Sequence, residues 1–512
     1  MESLVAELYD SLRTHSSNEC VVDYSLDTPI HLSKKQILIM ASALSKDIKK
    51  ITNSNRVGIV IPSSAVGVIA NLAVLFSGKV PVNLNFASTP DVSTHCLRKA
   101  RIDLVLTVDK LRRKFPHFPY PSKTICCVEK LKQYKSCKYT LIKNLLINLL
   151  PKFISKRILN IPSKTENEEF GVLFTSGSSG NPKGVSLSHE NIRSNINGIC
   201  AMQPFPTESK MLANLPLFHS FGFTVTLWMP LLKSIPIVTV PSPLEINKSI
   251  TAIEKEKITI VLGTPTFLRG YLRKGSSNKF RSIQFVVAGA EKSNIEFIKQ
   301  WENLAECNYL EGYGLTETSP VLSLNTTERG IKHGTVGRVL PEVKVKTIHP
   351  DTHEDLGRHD SGILCFKAPS VFTHYISDQE KTENAFMNEW FVTGDIGRMD
   401  EEGFLVIEGR LSRFSKIGGE MIPHETIEQT ALKILKWEIN DEVSLVVVGK
   451  PHDTKGEELY LITTQSINFD KLRKELSEKL GNLFAPKKHI VVDEIPVLPT
   501  GKLNLQELKN LV

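Results

Sequence analysis

From residue 55 onward the chain alternates short β-branched runs with helical patterns. Residues 57–61 read as a buried strand, an apolar helix starts at Ala65, and residues 79–83 and 103–107 read as further strands. The alternation resumes at 170–174, 258–262 and 283–287, and each run ends in a Gly- or Thr-rich turn. This pattern predicts an α/β fold of layered sheets and helices, with a ligand site at the turns that follow parallel strands. Beyond Gly334 the texture shifts to short strands and turns, as at 362–366 and 403–407, which predicts a small β subdomain. The last hundred residues mix strands at 443–448 and 489–492 with a helix at 469–480. We therefore expect a large N-terminal domain over 1–409 and a small α+β domain over 410–512.

Composition narrows the class. The 512 residues are 41% hydrophobic and 23% charged, which excludes a disordered tail or a disulfide-stapled miniprotein. Glu7 and Asp10 stand where a secretory leader would carry bases, so a cytoplasmic location is expected. The apolar stretch 65–78 holds Asn71 and is too short to span a bilayer, so no transmembrane helix is expected. Eight scattered cysteines lack the spacing of a zinc site and read as reduced.

The net charge of +8 is unevenly placed. Residues 110–164 hold fourteen Lys or Arg and one acid, Glu129, a local +13 that leaves −5 for the rest of the chain. An acidic protein, an anionic membrane surface or a merely solvated basic face would each suit that segment. No nucleic-acid-binding motif accompanies it. Within it, 141–161 mixes Leu and Ile with Lys143, Lys152, Lys156 and Arg157, which raises peripheral contact at the inner face of the membrane. Pro151 and the scatter of the bases around the helix weigh against that reading.

The strongest chemical signal is Thr175-Ser-Gly-Ser-Ser-Gly-Asn-Pro-Lys-Gly184, between a strand and a helix that starts near Glu190. Backbone N–H groups of such a turn can wrap polyphosphate while Lys183 supplies charge. It is not a Walker A loop, because Pro182 precedes the lysine and Gly184 follows it.

This loop resembles the phosphate loop of the adenylate-forming superfamily of acyl-CoA synthetases, adenylation domains and luciferases. The resemblance implies nucleotide contacts from Thr175, Ser176, Gly177, Ser178, Ser179, Gly180 and Lys183. Glu311-Gly-Tyr-Gly-Leu-Thr-Glu317 resembles the adenine and magnesium motif of that family. It implies that Gly312, Tyr313 and Gly314 meet adenine, Thr316 meets the α-phosphate and Glu317 holds Mg²⁺. Asp395 in Thr393-Gly-Asp395 and Arg410 match the ribose contacts, and Ala288, Gly289, Ala290 and Glu291 fall on the adenine segment. Lys502 in Pro499-Thr-Gly-Lys-Leu503 matches the activating lysine of a mobile C-terminal domain. Ser412 stands at the hinge, where the family commonly has Asp or Lys, and Lys416 matches the residue that faces the adenylate during thioester formation.

Within the superfamily, residues 170–425 are most similar to the acyl-acyl carrier protein synthetase half of the bifunctional lysophospholipid acyltransferases. Leu215-Pro-Leu-Phe-His-Ser-Phe-Gly-Phe-Thr-Val225 and Gly334-Thr-Val-Gly-Arg338 carry part of that likeness. It implies an acyl pocket walled by Phe218, Phe221 and Phe223, with His219 near the substrate carboxylate. None of the fourteen histidines has Asp five residues later, so the acyltransferase pair of those relatives is absent. The implied activity is ATP- and Mg²⁺-dependent ligation of a fatty acid to acyl carrier protein. A long-chain acyl-CoA synthetase is the alternative, because coenzyme A ends in the same phosphopantetheine arm, and a non-catalytic scaffold is a remote one.

Overall fold

The computed structural model describes residues 3–135, 150–159, 161–162, 168–175, 181–417, 420–437, 443–452, 456–497 and 503–512. Chain contacts divide it into two compact units. Among the described residues, the first comprises those up to 175, 181–344 and 367–389, and the second comprises those of 345–366 and 390–512. The strand Trp390–Met399 pairs on one side with Leu405–Arg410 and on the other with Gly362–Lys367.

Two large sheets build the first unit. In one, Glu169–Thr175, Val80–Asn83, Arg56–Val60, Leu104–Thr107 and Lys123–Cys126 run parallel in that order, and Lys183–Ser188 and His374–Tyr375 extend it antiparallel. Its central strands are buried along their whole length, because helices cover both faces of a parallel sheet and leave no polar side. The second sheet has nine strands, parallel through Asn308–Gly314, Phe285–Ala288, Ile260–Gly263, Met211–Ala213, Ile237–Thr239 and Glu19–Asp23. Tyr271, Phe280 and Trp301 fill the layer against it, each fully buried.

Helix Ala65–Phe76 is apolar almost all round and is buried on nearly every side, as such a composition requires. Its one amide is used. Asn71 and Asn83 exchange side-chain hydrogen bonds of 3.2 and 2.8 Å, which fastens the helix to the strand Val80–Asn83 and leaves neither amide wasted. Ser64 caps the helix by accepting from Gly67 N.

In the second unit an antiparallel sheet carries Trp390–Met399 and Leu405–Arg410, the residue pair Asp395 and Arg410 lying opposite each other. A further sheet pairs Leu445–His452 with Gly456–Thr463 and backs onto helices His424–Leu435 and Phe469–Leu480 through Ile427, Val447, Leu461, Leu472 and Leu476. No helix among the described residues is long and apolar enough to cross a membrane. In the described part of the 141–161 stretch, helix Lys152–Ile158 sends Lys156 and Lys152 to Asp10 at 3.2 and 3.8 Å. Residues 141–149, the first part of that stretch, lie outside the described residues, as does residue 160.

Candidate active site

The hairpin of Glu169–Thr175 and Lys183–Ser188 sets Thr175 opposite Lys183, so both stand at the foot of the glycine- and serine-rich loop. Ser176, Gly177, Ser178, Ser179 and Gly180 lie outside the described residues, as does Lys502. The Lys183 ammonium sits over the ring of Tyr375, 4.9 Å from its centroid. Tyr375 reaches that place because its short strand pairs with Lys183–Ser188, Tyr375 opposite Val185. Its hydroxyl donates to Glu317 Oε1 at 2.9 Å, and Phe372 N donates to the Glu317 carbonyl at 2.7 Å. Burial and the adjacent carboxylate push the Tyr375 phenol above its ordinary pKa, so it remains a proton donor at neutral pH.

Glu317 and Thr316 ride a single helical turn, Thr316–Thr318, directly after the strand Asn308–Gly314. Gly314 is required by close approach, since a Cβ there would stand 1.8 Å from the Pro320 carbonyl. Thr318 Oγ1 accepts from Leu315 N at 3.0 Å and closes the turn. Thr316 Oγ1 donates to Ser220 Oγ at 3.3 Å, which ties the turn to the aromatic run 215–228. Tyr313 is half-buried on the preceding strand.

The segment predicted to meet adenine follows the parallel strand Phe285–Ala288. Ala290 takes the left-handed backbone, φ +68°, which is uncommon for a residue with a Cβ. Gly289 faces the Gly312 carbonyl and the Phe221 ring, at 3.5 and 3.7 Å from an ideal Cβ position, so these three assigned residues do converge. Glu291 turns to the first turn of helix Pro265–Lys274, where its carboxylate accepts from Thr266 N at 3.1 Å and Thr266 Oγ1 at 2.7 Å. Beneath this segment Glu311 is 6% exposed, and its carboxylate accepts from Gly334 N at 3.4 Å. Burial raises its pKa to about 7.

The aromatic run divides. Phe218 meets Phe86 edge-on at 5.8 Å, Phe86 in turn meets Phe115, and exposed His219 lies 4.7 Å from the Phe218 ring. Phe223 is fully buried against Phe170 and Trp228, and its ring fills the space a Cβ on Gly171 would need. Residues 221–228 coil as a π-helix, and positions two apart on a helix point to nearly opposite sides, so Phe221 and Phe223 face in different directions.

In the second unit, Arg410 Nε lies 2.9 Å from Asp395 Oδ1. Asp395 is held by its own backbone, which donates to Thr393 Oγ1 at 3.0 Å while that hydroxyl donates to Leu364 O at 2.9 Å. Ser412 occupies a short turn, Leu411–Arg413. Lys416 is exposed and pairs with Asp351, and its backbone N–H donates to Glu457 at 2.9 Å.

For a divalent cation, Glu317 offers a carboxylate whose one oxygen is already oriented by a phenol. Mg²⁺ suits a site of this sparse kind, since it takes one or two protein carboxylates and completes its shell with phosphate and water. Among the described residues, one three-residue group has metal-ligand spacing, Glu19, His31 and Glu256. The Lys210 ammonium already lies 3.0 Å from Glu19 and 3.3 Å from Glu256, so a cation of the protein itself fills that place. Sequence reasoning missed Tyr375 and Ser220. Tyr375 sits in a run that carries no singled-out motif and Ser220 inside the 215–225 run without a role of its own, and only long-range pairing brings them to Glu317 and Thr316.

The profile of the AMP-binding enzyme family matches residues 10–376. A long-chain-fatty-acid–CoA ligase of Bacillus subtilis is 27% identical over 487 residues, covering 88% of this chain and 85% of that protein. A long-chain-fatty-acid–CoA ligase of Haemophilus influenzae is 23% identical over 540 residues, covering 99% and 94%. Among solved structures, ATP-bound MatB from Rhodopseudomonas palustris superposes with a TM-score of 0.80 at 22% identity over 99% of this chain and 98% of that one. O-succinylbenzoate coenzyme A synthetase from Bacillus subtilis, in complex with ATP and magnesium ion, does so with a TM-score of 0.79 at 19% identity over 99% of each. At such identities the structural likeness establishes the fold.

Proposed function

The chain belongs to the AMP-binding enzyme family, and on that premise we propose that it activates a long-chain fatty acid as acyl adenylate and passes the acyl group to a phosphopantetheine thiol. One observation carries the reading: Lys183, at the foot of the phosphate-type loop, and Glu317, at the end of the Tyr-Gly-Leu-Thr-Glu motif, are gathered by one tyrosine, the first at its ring face and the second at its hydroxyl. A cation for the phosphates and a carboxylate for a metal are thereby presented together.

In the first step a fatty-acid carboxylate oxygen bonds to the α-phosphorus of ATP and the bond to pyrophosphate breaks. Charge gathers on the phosphoryl oxygens, where Thr316, Lys183 and, by family likeness, Lys502 donate. Mg²⁺ at Glu317 would neutralise phosphate charge. Asp395 and Arg410 are assigned to the ribose, Gly289 and Tyr313 to the base, and Phe218 and Phe221 to the acyl chain beside His219. In the second step the thiolate bonds to the acyl carbon and AMP leaves. We assign residues 410–512 to a mobile domain hinged at Ser412, which brings Lys502 to the first step and Lys416 to the second.

Coenzyme A is the acceptor named in the curated relatives. Acyl carrier protein is the second reading, favoured by the motif runs at 215–225 and 334–338 and by the +13 of residues 110–164, which suits a strongly acidic partner. The test supplies ATP, Mg²⁺ and labelled C14 to C18 fatty acid with each acceptor in parallel. Label on coenzyme A supports the first reading and label on carrier protein the second, while absence of both thioester and acyl-AMP overturns the proposal.

A further inference from the structure

Tyr375 belongs to no motif singled out in the sequence, yet it is the residue on which the two key charges meet. Its hydroxyl holds one oxygen of Glu317 at 2.9 Å, and its ring face lies under the Lys183 ammonium. The tyrosine is itself fixed from three sides. Its strand pairs with the strand of Lys183, its ring packs 4.7 Å from Phe372, and Phe372 N binds the carbonyl of Glu317. A carboxylate with one oxygen held by a fixed donor keeps its other oxygen in a set direction, and outer partners of this kind commonly govern metal affinity.

We propose that Tyr375 is a positioning residue that presents Glu317 to the divalent cation and Lys183 to the phosphates of a bound nucleotide. This rests on the adenylation reading above. Two parts of the side chain do separate work: the O–H sets the carboxylate and the ring sets the ammonium. Tyr375→Phe removes the first and keeps the second, and it preserves packing against Phe372. Tyr375→Leu removes both.

The experiment measures binding of a non-hydrolysable ATP analogue by titration calorimetry, with EDTA or with Mn²⁺, and counts free Mn²⁺ by its EPR signal. Tyr375→Phe is expected to weaken Mn²⁺ binding in the ternary complex about tenfold and to leave metal-free nucleotide affinity at the wild-type value. Tyr375→Leu is expected to weaken both. Glu317→Ala serves as the reference that loses the Mn²⁺ dependence. A Tyr375→Phe protein with wild-type Mn²⁺ affinity, beside a Glu317→Ala protein that has lost it, overturns the inference alone. Wild-type protein that binds no nucleotide under either condition overturns the adenylation reading and the inference with it. A merely structural tyrosine would lower both affinities equally in the Phe variant, which also overturns it.

Discussion

Arg410 Nε stands 2.9 Å from Asp395 Oδ1 across two adjacent antiparallel strands, with the carboxylate side chain 4% exposed and the guanidinium 57%. The acid is thus buried and fixed while the base reaches into solvent, the arrangement needed for a carboxylate that accepts hydroxyl hydrogen bonds at a set position. Replacing Asp395 by Ala should lower ATP affinity about tenfold to a hundredfold, the loss of hydrogen bonds to a charged group. Calorimetric titration with ATP checks this, and an unchanged dissociation constant would remove Asp395 from the nucleotide site.

Lys502 is assigned by motif to stabilise the charge of the adenylation step. Lys502→Ala should slow fatty-acid-dependent pyrophosphate exchange by about 10² to 10³ while ATP still binds. An unaltered exchange rate would refute that role.

Glu311 makes stability depend on pH. Its folded pKa is raised from 4.5 to about 7, so the folded state keeps a proton that the unfolded chain has released. Stability from this group is therefore full below about 4.5, falls between the two values, and is lowest above 7. The wild-type protein should lose roughly 2 kcal/mol relative to Glu311→Gln between pH 5 and pH 8. Urea denaturation of both proteins at the two pH values measures it, and parallel behaviour would show that burial does not hold the proton.

Gly222 is the second residue of the π-helix Phe221–Trp228, and a Cβ there would lie 2.2 Å from the Pro216 carbonyl. Gly222→Ala must push two backbone segments apart, at a cost of about 1–3 kcal/mol. Because Phe221 and His219 flank the position, the Michaelis constant for fatty acid should rise along with the loss in melting temperature. Thermal unfolding and steady-state kinetics report the two effects, and a variant that matches wild type in both would show that the turn relaxes freely.

Much of the layered core was legible in order. The runs 57–61, 79–83, 103–107 and 170–174 fall within one residue of strands Arg56–Val60, Val80–Asn83, Leu104–Thr107 and Glu169–Thr175 of one sheet, because a strand buried on both faces must be a continuous apolar run. The helix expected at 469–480 is Phe469–Leu480. The aromatic run was less legible: an apolar string identifies burial, but not which of Phe218, Phe221 and Phe223 joins the core.

The sequence alone determined the alternation of strands and helices and the ordered set of loop, Tyr-Gly-Leu-Thr-Glu and Gly-Asp motifs, since these depend on residues close together in the chain. Only tertiary structure decided that Tyr375 joins Lys183 to Glu317, that Ser220 meets Thr316, and that Phe223 is core. Such contacts link residues dozens to nearly two hundred positions apart, and their geometry is set by strand register and packing, which no local pattern encodes.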